Sequence, residues 1–94
     1  MLVLNVTYII KPGMRNAYME KVAEIQMAEK SRAEAGNITY EYFLPMEGKD
    51  RIFLLEKWQD EEAFQAHTKE EHFKALGELK AYYVKETIIE KYTV

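Results

Sequence analysis

Hydrophobic residues dominate the first ten positions of the chain, MLVLNVTYII. Successive side chains of a strand point to opposite sides, so one face would carry Leu2, Leu4, Val6, Tyr8 and Ile10. The residues between them include the apolar Val3 and Ile9. This pattern predicts a first strand that is covered on both sides of its sheet.

The hydrophobic spacing then changes from two to three and four. The apolar residues that recur at these steps are Met14, Tyr18, Val22, Ile25 and Ala28. Such spacing predicts one helix of about five turns. Pro12 is placed to open this helix. The pair Gly36 and Asn37 is placed to end it, because both residue types tolerate the positive φ angle found just past a last turn.

The remaining segments predict a hairpin, a second helical stretch and a last strand. ITYEYFLPM and RIFLLEKWQ alternate with period two and are joined by the turn cluster EGKD. Asp60 is placed to cap the next helix, and ETIIEKYTV closes the chain as a strand. The order is βαββαβ, an α+β fold with a four-stranded antiparallel sheet and a single domain over residues 1–94.

This order places both helices on the same face of the sheet. The other face would stay bare, although strand 1 is apolar on both sides and strand 3 is nearly so. A bare apolar face of that size is unfavourable in water, and we therefore expect a homodimer in which two sheets cover each other. The chain is 48% hydrophobic and 13% aromatic. The aromatic residues either line an interface or a pocket, or are scattered singly over the surface.

Charge and composition narrow the classes of partner. The net charge is −3, with no arginine- or lysine-rich face, so a nucleic acid is not an expected partner. The chain has no cysteine, which excludes disulfides and thiolate ligands and fits a cytoplasmic protein. No apolar run approaches the roughly 20 residues of a membrane span, and no leader pattern is visible at the N-terminus.

Both histidines and the one tryptophan lie in the segment WQDEEAFQAHTKEEHFKAL. Zinc-binding helices place two histidines four positions apart so that both point the same way. His67 and His72 are five apart, which separates them by about 140° on a continuous helix. No cysteine or aspartate stands nearby to complete a ligand set, so we expect no metal site.

The same helix geometry gives His67 an inward direction, because it lies three positions after Phe64. An inward imidazole near Trp58 would make an aromatic pocket with one titratable group; the alternative is a core histidine satisfied by a backbone carbonyl. Trp58 is either a pocket wall or core. Asn5 either lies at a sheet edge or directs its amide into a cavity, since asparagine is depleted in strands. His72 is expected at the helix start or on the surface.

Several segments resemble the antibiotic biosynthesis monooxygenase family, and the resemblance covers nearly the whole chain. They are SRAEAGNITYEYF and LLEKWQDEEAFQAHTKEEHFKAL, with Glu34 to Asn37, Glu56 to Trp58, Ala63, Phe64, His67 and His72 as the most specific positions. The resemblance implies a ferredoxin-like fold whose sheets pack face to face as a dimeric α+β barrel. That dimer agrees with the bare face inferred from the strand pattern.

The resemblance also suggests functions, residue by residue. Members that oxidise polyketides use an asparagine, a tryptophan and a tyrosine; Trp58 matches the tryptophan, whereas Leu54 and Phe64 occupy the other two places. Haem-degrading members use a strand-1 asparagine and a tryptophan, similar to Asn5 and Trp58, but their histidine ligand falls at Gly77. Haem degradation is therefore not expected.

The spacing of the two histidines is similar to that of the small quinol-monooxygenase-like members. We therefore expect a monooxygenase that oxidises a small aromatic, quinol-type molecule with O₂ and uses no cofactor. The alternatives are an enzyme that isomerises or degrades a small signalling metabolite, and a dimer that binds a small ligand without catalysis. Catalytic roles are expected for His67, Trp58 and Asn5, and substrate contacts for Phe64, Tyr40, Leu54 and His72.

Overall fold

The computed structural model describes all 94 residues. The strands are β1 (Leu2–Ile10), β2 (Asn37–Phe43), β3 (Arg51–Trp58) and β4 (Val84–Thr93). The helices are α1 (Arg15–Glu24), α2 (Met27–Arg32), α3 (Glu61–His67) and α4 (Glu71–Tyr83). No helix has the length and apolar character needed to cross a membrane.

The four strands form one antiparallel sheet in the order β2-β3-β1-β4, which confirms the predicted ferredoxin-like α+β fold. Strand β1 is central, and its register places Leu2 opposite both Trp58 of β3 and Thr93 of β4. Paired residues share a face, so the register also fixes which side chains point toward the helices.

The helices cover one face of the sheet, and the core lies between them and the sheet. Burial alternates strictly along β1 and β3, because every second side chain points toward the helices. The buried apolar residues are Leu2, Leu4, Val6, Tyr8, Ile10, Tyr18, Val22, Met27, Tyr40, Ile52, Leu54, Trp58 and Leu76. The face of the first strand that carries Leu2, Leu4, Val6, Tyr8 and Ile10 thus forms the centre of the core.

The opposite side of the sheet carries no helix, and we call it the open face. The apolar residues that the register places there are Val3, Ile9, Phe43, Phe53, Leu55, Ile88 and Tyr92. The same face also carries Asn5 and Thr7 on β1 and the charged residues Glu41, Arg51, Lys57, Glu86 and Glu90 on the other strands. The rings of Phe43 and Phe53 pack with centroids 6.0 Å apart, and Phe43, Ile88 and Tyr92 are exposed. An apolar surface of this kind is unusual for a monomer in water.

The first helical segment differs from the single helix that its spacing predicts. Gln26 adopts a left-handed conformation with φ of 55° and separates α1 from α2. On a straight helix, Val22 and Met27 would point about 140° apart, because they are five positions apart. The break turns α2 so that both side chains are buried against the sheet.

The second helical segment is also divided into two helices, here without a left-handed residue. Helix α3 begins at the predicted cap, where the Asp60 carboxylate accepts a hydrogen bond of 2.9 Å from the Ala63 amide. It ends at His67, and a turn leads into α4, with the Glu70 amide donating to the His67 carbonyl at 3.1 Å. The break therefore falls between the two histidines.

Two glycines offer a matched test of how the loop before β2 holds α3. Gly36 has φ of +83°, and a Cβ there would lie 2.6 Å from the Ala63 Cβ. Gly36→Ala should therefore lower the free energy of unfolding by roughly 2–5 kcal/mol, through backbone strain and overpacking. A Cβ at Gly77 on α4 would meet only open space. Gly77→Ala should therefore raise the free energy of unfolding by about 0.5–1 kcal/mol. Urea unfolding of both variants measures these changes. Equal effects of the two substitutions would contradict the close approach of Gly36 to Ala63.

Candidate functional site

A cavity of about 80 Å³ lies between the sheet and the second pair of helices. One water needs only about 10–15 Å³, so the space admits several waters or a small molecule. Its wall consists of Leu4, Val6, Tyr8, Tyr40, Glu56, Phe64, His67, Phe73, Leu76, Lys80 and Ile89. Ile89 is 56% exposed, which places the β4 end of the cavity next to solvent.

Glu56 is the ionisable group that reaches the cavity from the sheet. It follows Ile52 and Leu54 on the inward face of β3 and is buried. Burial raises the pKa of its carboxyl to about 7, although a hydrogen bond of 3.1 Å from the Trp58 indole Nε1 opposes the rise. At neutral pH this carboxyl is divided between its charged and neutral forms and can exchange a proton with a bound ligand.

Sequence reasoning missed Glu56 as a functional candidate, although a signal was present. Period-two alternation placed it on the same inward face as Ile52, Leu54 and Trp58. A glutamate at an inward strand position is rare unless it has a partner or a role.

His67 forms the opposite wall and is 1% exposed. Its Nδ1 lies 2.7 Å from the Glu34 Oε2, and its Nε2 lies 4.0 Å from the Glu56 Oε1. Burial lowers the pKa of the imidazole, while the hydrogen bond with Glu34 and its charge raise it. A neutral ring that donates from Nδ1 to the carboxylate presents the Nε2 lone pair toward Glu56 and the cavity.

His72 lies beside His67, and the expectation that the two rings point apart is not met. The His72 Nε2 lies 2.7 Å from the same Glu34 oxygen, and only 9% of His72 is exposed. The reason is the break between α3 and α4, because the 140° separation assumed one continuous helix. Glu34, His67 and His72 together place three possible metal-ligand atoms within 4.8 Å of one another.

The structure brings three of the seven predicted site residues to the cavity wall: His67, Phe64 and Tyr40. Trp58 is fully buried behind that wall, with its ring 4.6 Å from the His67 ring. Leu54 is fully buried in the core without lining the cavity. His72 stands behind His67, where it touches Glu34.

Asn5 lies on the open face, since Leu4 and Val6 on either side of it point into the cavity. It is paired with Leu55 of β3 and Glu90 of β4. Within one chain its amide therefore does not reach His67 or Glu56. The alternation rule alone separates Asn5 from Leu4 and Val6, but the sequence does not say which face carries the helices.

Two tyrosines add hydroxyl groups to the apolar wall. Burial raises the pKa of Tyr8 and of Tyr40 well above the ordinary value, so both phenols stay neutral and can donate hydrogen bonds. The Tyr40 hydroxyl lies 3.4 Å from that of Tyr42. At the solvent end, burial lowers the pKa of Lys80 and the charge of Glu56 raises it. The cavity thus combines apolar walls with a few convergent polar groups, as small-molecule sites do.

The sequence matches a family model and a relative over most of its length. The family model described as antibiotic biosynthesis monooxygenase matches residues 1–79. The protein named "Putative monooxygenase YcnE" from Bacillus subtilis (strain 168) is 32% identical over 76 residues, which are 81% of this chain and 78% of that protein.

Solved structures share the fold over nearly the full length. A structure from Nitrosomonas europaea, described as a putative antibiotic biosynthesis monooxygenase, has a TM-score of 0.91 at 21% identity and covers 100% of this chain and 98% of its own. Another with that description, from Bacteroides thetaiotaomicron, has a TM-score of 0.86 at 26% identity and covers 99% and 88%.

The hydrogen bonds to Glu34 should contribute measurably to stability. Glu34→Ala removes the acceptor of two buried imidazole donors and should lower the free energy of unfolding by about 1–3 kcal/mol. Glu34→Gln keeps a carbonyl acceptor and should lose less. Urea unfolding in a chelator-containing buffer measures both variants. Glu29→Ala, at an exposed position of α2, serves as the control and should stay within about 0.5 kcal/mol of the wild type. An equally small effect of Glu34→Ala would contradict the network.

Proposed function

The chain belongs to the antibiotic biosynthesis monooxygenase family, and on that premise we propose that it oxidises a small electron-rich ring of the hydroquinone class. O₂ is the oxidant, and no redox cofactor takes part. The observation that carries the proposal is the buried Glu56 carboxyl, 4.0 Å from the His67 Nε2, on the wall of a mainly apolar cavity. Such a pair can take a phenolic proton in a place from which most water is excluded.

The chemistry balances without a further reductant. One hydroquinone and one O₂ give one hydroxyquinone and one water. Loss of a phenolic proton makes the ring electron-rich enough to pass one electron to O₂. The resulting ring radical and superoxide combine at a ring carbon, and the hydroperoxide formed there loses water. One oxygen atom enters the ring, and the other leaves as water.

Each part of the cavity has a role in this proposal. Glu56 and His67 are the acceptors of the phenolic proton. Their atoms, the Glu56 Oε1 and the His67 Nε2, lie 4.0 Å apart on the cavity wall. Trp58 holds the Glu56 carboxyl by its indole N–H and packs on the His67 ring. Tyr8 and Tyr40 offer neutral hydroxyls to a ring oxygen, and Phe64 supplies a flat apolar surface.

The size of the cavity supports a small substrate. Sites for drug-sized ligands usually enclose about 300–1,000 Å³, whereas this cavity encloses about 80 Å³. The comparison favours a ligand of one ring over a fused polyketide. Ile89 and Lys80 at the β4 end are the side chains that such a ligand would meet first.

We also propose that the active form is a homodimer joined through the open face. The supporting observation is the set of apolar side chains that no helix covers, with Phe43, Ile88 and Tyr92 exposed. A second copy is a suitable partner because the same face on both chains can pack as one sandwich, with the sheets about 10 Å apart.

The proposed oxidation predicts a strong effect of Glu56→Gln. The amide keeps the size of the side chain and an oxygen for Trp58 but no longer accepts a proton. Oxygen consumption with a panel of substituted hydroquinones should fall by roughly 10²–10⁴-fold, the usual contribution of a positioned base. Mass spectrometry with ¹⁸O₂ should find one labelled oxygen in the wild-type quinone product.

The control is Glu20→Gln, an exposed carboxylate on α1, which should leave the rate unchanged. Hydrogen peroxide with no labelled oxygen in the ring would indicate a simple oxidase and contradict the proposal. Saturable binding of a hydroquinone without oxygen consumption would instead indicate a non-catalytic binding protein. Equal rates for Glu20→Gln and Glu56→Gln would remove Glu56 from the mechanism.

The dimer predicts that one charge on the open face separates the subunits. Light scattering should give about twice the chain mass of 11.1 kDa for the wild type. Phe53→Glu places a carboxylate at the centre of the open face and should give the single-chain mass at micromolar concentration. Met46→Glu, at a fully exposed position in the β2–β3 connection, is the control and should stay dimeric. A monomeric wild type would overturn the dimer.

A further inference from the structure

We propose that Glu34, His67 and His72 bind one divalent transition-metal ion. This binding goes beyond the oxidation proposed above. An ion on the His67 Nδ1 would leave the ring's proton on Nε2, and Glu56 would then be the acceptor of the phenolic proton. The three side chains come from the connection between α2 and β2, from the last residue of α3 and from the first turn of α4. An ion at their meeting point would join three segments that are separate in the sequence.

The donor atoms are already close to the arrangement that an ion requires. They are the Glu34 Oε2, the His67 Nδ1 and the His72 Nε2, and all lie within 4.8 Å of one another. Both nitrogens lie 2.7 Å from the oxygen. Ligands at about 2.0–2.2 Å from a tetrahedral zinc lie about 3.4 Å apart. Each nitrogen would need to move about 0.7 Å away from the Glu34 oxygen to reach that spacing.

A second carboxylate lies near the ring nitrogen of His67 that would not bind the ion. A metal-bound imidazole usually donates its second N–H to a carboxylate, which fixes the tautomer and the ring orientation. Here the second nitrogen, Nε2, lies 4.0 Å from the buried Glu56 Oε1. Trp58 holds that carboxylate from the other side, through a hydrogen bond of 3.1 Å. Without an ion, the His67 ring is oriented by its hydrogen bond with Glu34 and by the Trp58 ring, whose centroid lies 4.6 Å away.

An open groove gives the cluster access to solvent. The groove encloses about 520 Å³ and is lined by Lys30, Ala33, Glu34, Glu70, Glu71 and His72. Three of these residues are glutamates and one is a lysine, so the entrance attracts cations. Three protein ligands leave a fourth position of a tetrahedral ion for a water from this groove.

The donor set selects the class of ion. Two imidazoles and one carboxylate suit Zn²⁺, Co²⁺, Ni²⁺ and Cu²⁺, which accept nitrogen ligands. Mg²⁺ and Ca²⁺ prefer shells of oxygen ligands and are not expected to bind here. A competition between these two groups of ions therefore distinguishes a built site from a general attraction to the acidic groove.

Trp58 makes the binding observable, because it is the only tryptophan and its ring lies 4.6 Å from the His67 ring. The experiment uses full-length protein without a polyhistidine tag, first treated with a chelator. Titration with Ni²⁺ should quench the tryptophan fluorescence to saturation at one ion per chain, and Zn²⁺ should displace the quencher. Co²⁺ should give the visible absorption of a four-coordinate ion. Zn²⁺ should also raise the thermal midpoint, since it binds only the folded chain.

Substitution of the proposed ligand residues tests which side chains bind the ion. Glu34→Gln and His72→Gln should each weaken Zn²⁺ binding by more than the roughly 10–100-fold lost when a supporting residue is removed. Glu71→Gln lines the same groove without contributing a donor atom, and it should bind Zn²⁺ within about threefold of the wild type. Circular dichroism confirms that each variant is folded. Glu34→Gln retains a hydrogen-bond acceptor and so remains informative if His72→Gln unfolds.

Several results would overturn the site. They are quenching that does not saturate, equal effects of Mg²⁺ and Zn²⁺, and unchanged affinity in both Glu34→Gln and His72→Gln. All of these measurements are made without an aromatic substrate. An absence of metal binding would therefore leave the proposed oxidation standing, and an absence of oxygen consumption would leave the metal site standing.

Discussion

One carboxylate oxygen of Glu34 forms hydrogen bonds with both imidazoles of the chain. The positions of α3 and α4 depend on this contact. Glu34 comes from the connection before β2, so the contact links that connection to the end of α3 and the start of α4. This contact holds the His67 ring against Trp58 and directs the His67 Nε2 toward Glu56. Without the contact to Glu34, the part of the cavity wall that His67 forms would be mobile.

A buried carboxyl beside apolar side chains is costly for folding, and its retention suggests a use. Here the cost is reduced by the Trp58 hydrogen bond and by the charge of Lys80, which both favour the ionised form. The Trp58 hydrogen bond also holds the carboxyl in one place next to the cavity. Stability and reactivity thus compete at Glu56, as is common where a protein keeps a proton acceptor out of water.

Period-two alternation was enough to predict the sheet, because β1 and β3 each bury every second residue. Which of the two faces meets the helices required the structure. The helices were less predictable. A step of five residues between Val22 and Met27, and again between His67 and His72, disagrees with a single straight helix. In both places tertiary burial is satisfied by breaking the helix, at Gln26 and after His67. Local spacing shows the conflict but not its resolution, so the meeting of the histidines at Glu34 required the structure.

The strand register has a consequence for how the chain acquires its fold. Central β1 pairs with no strand near it in sequence: Leu2 meets Trp58 on one side and Thr93 on the other. The hairpin of β2 and β3 can form from local contacts, but the sheet closes only when the last residues of the chain arrive beside the first. Such long-range pairing lowers the folding rate and leaves an apolar strand unpaired during synthesis. The newly made N-terminal strand is therefore the part of this chain most in need of protection from aggregation.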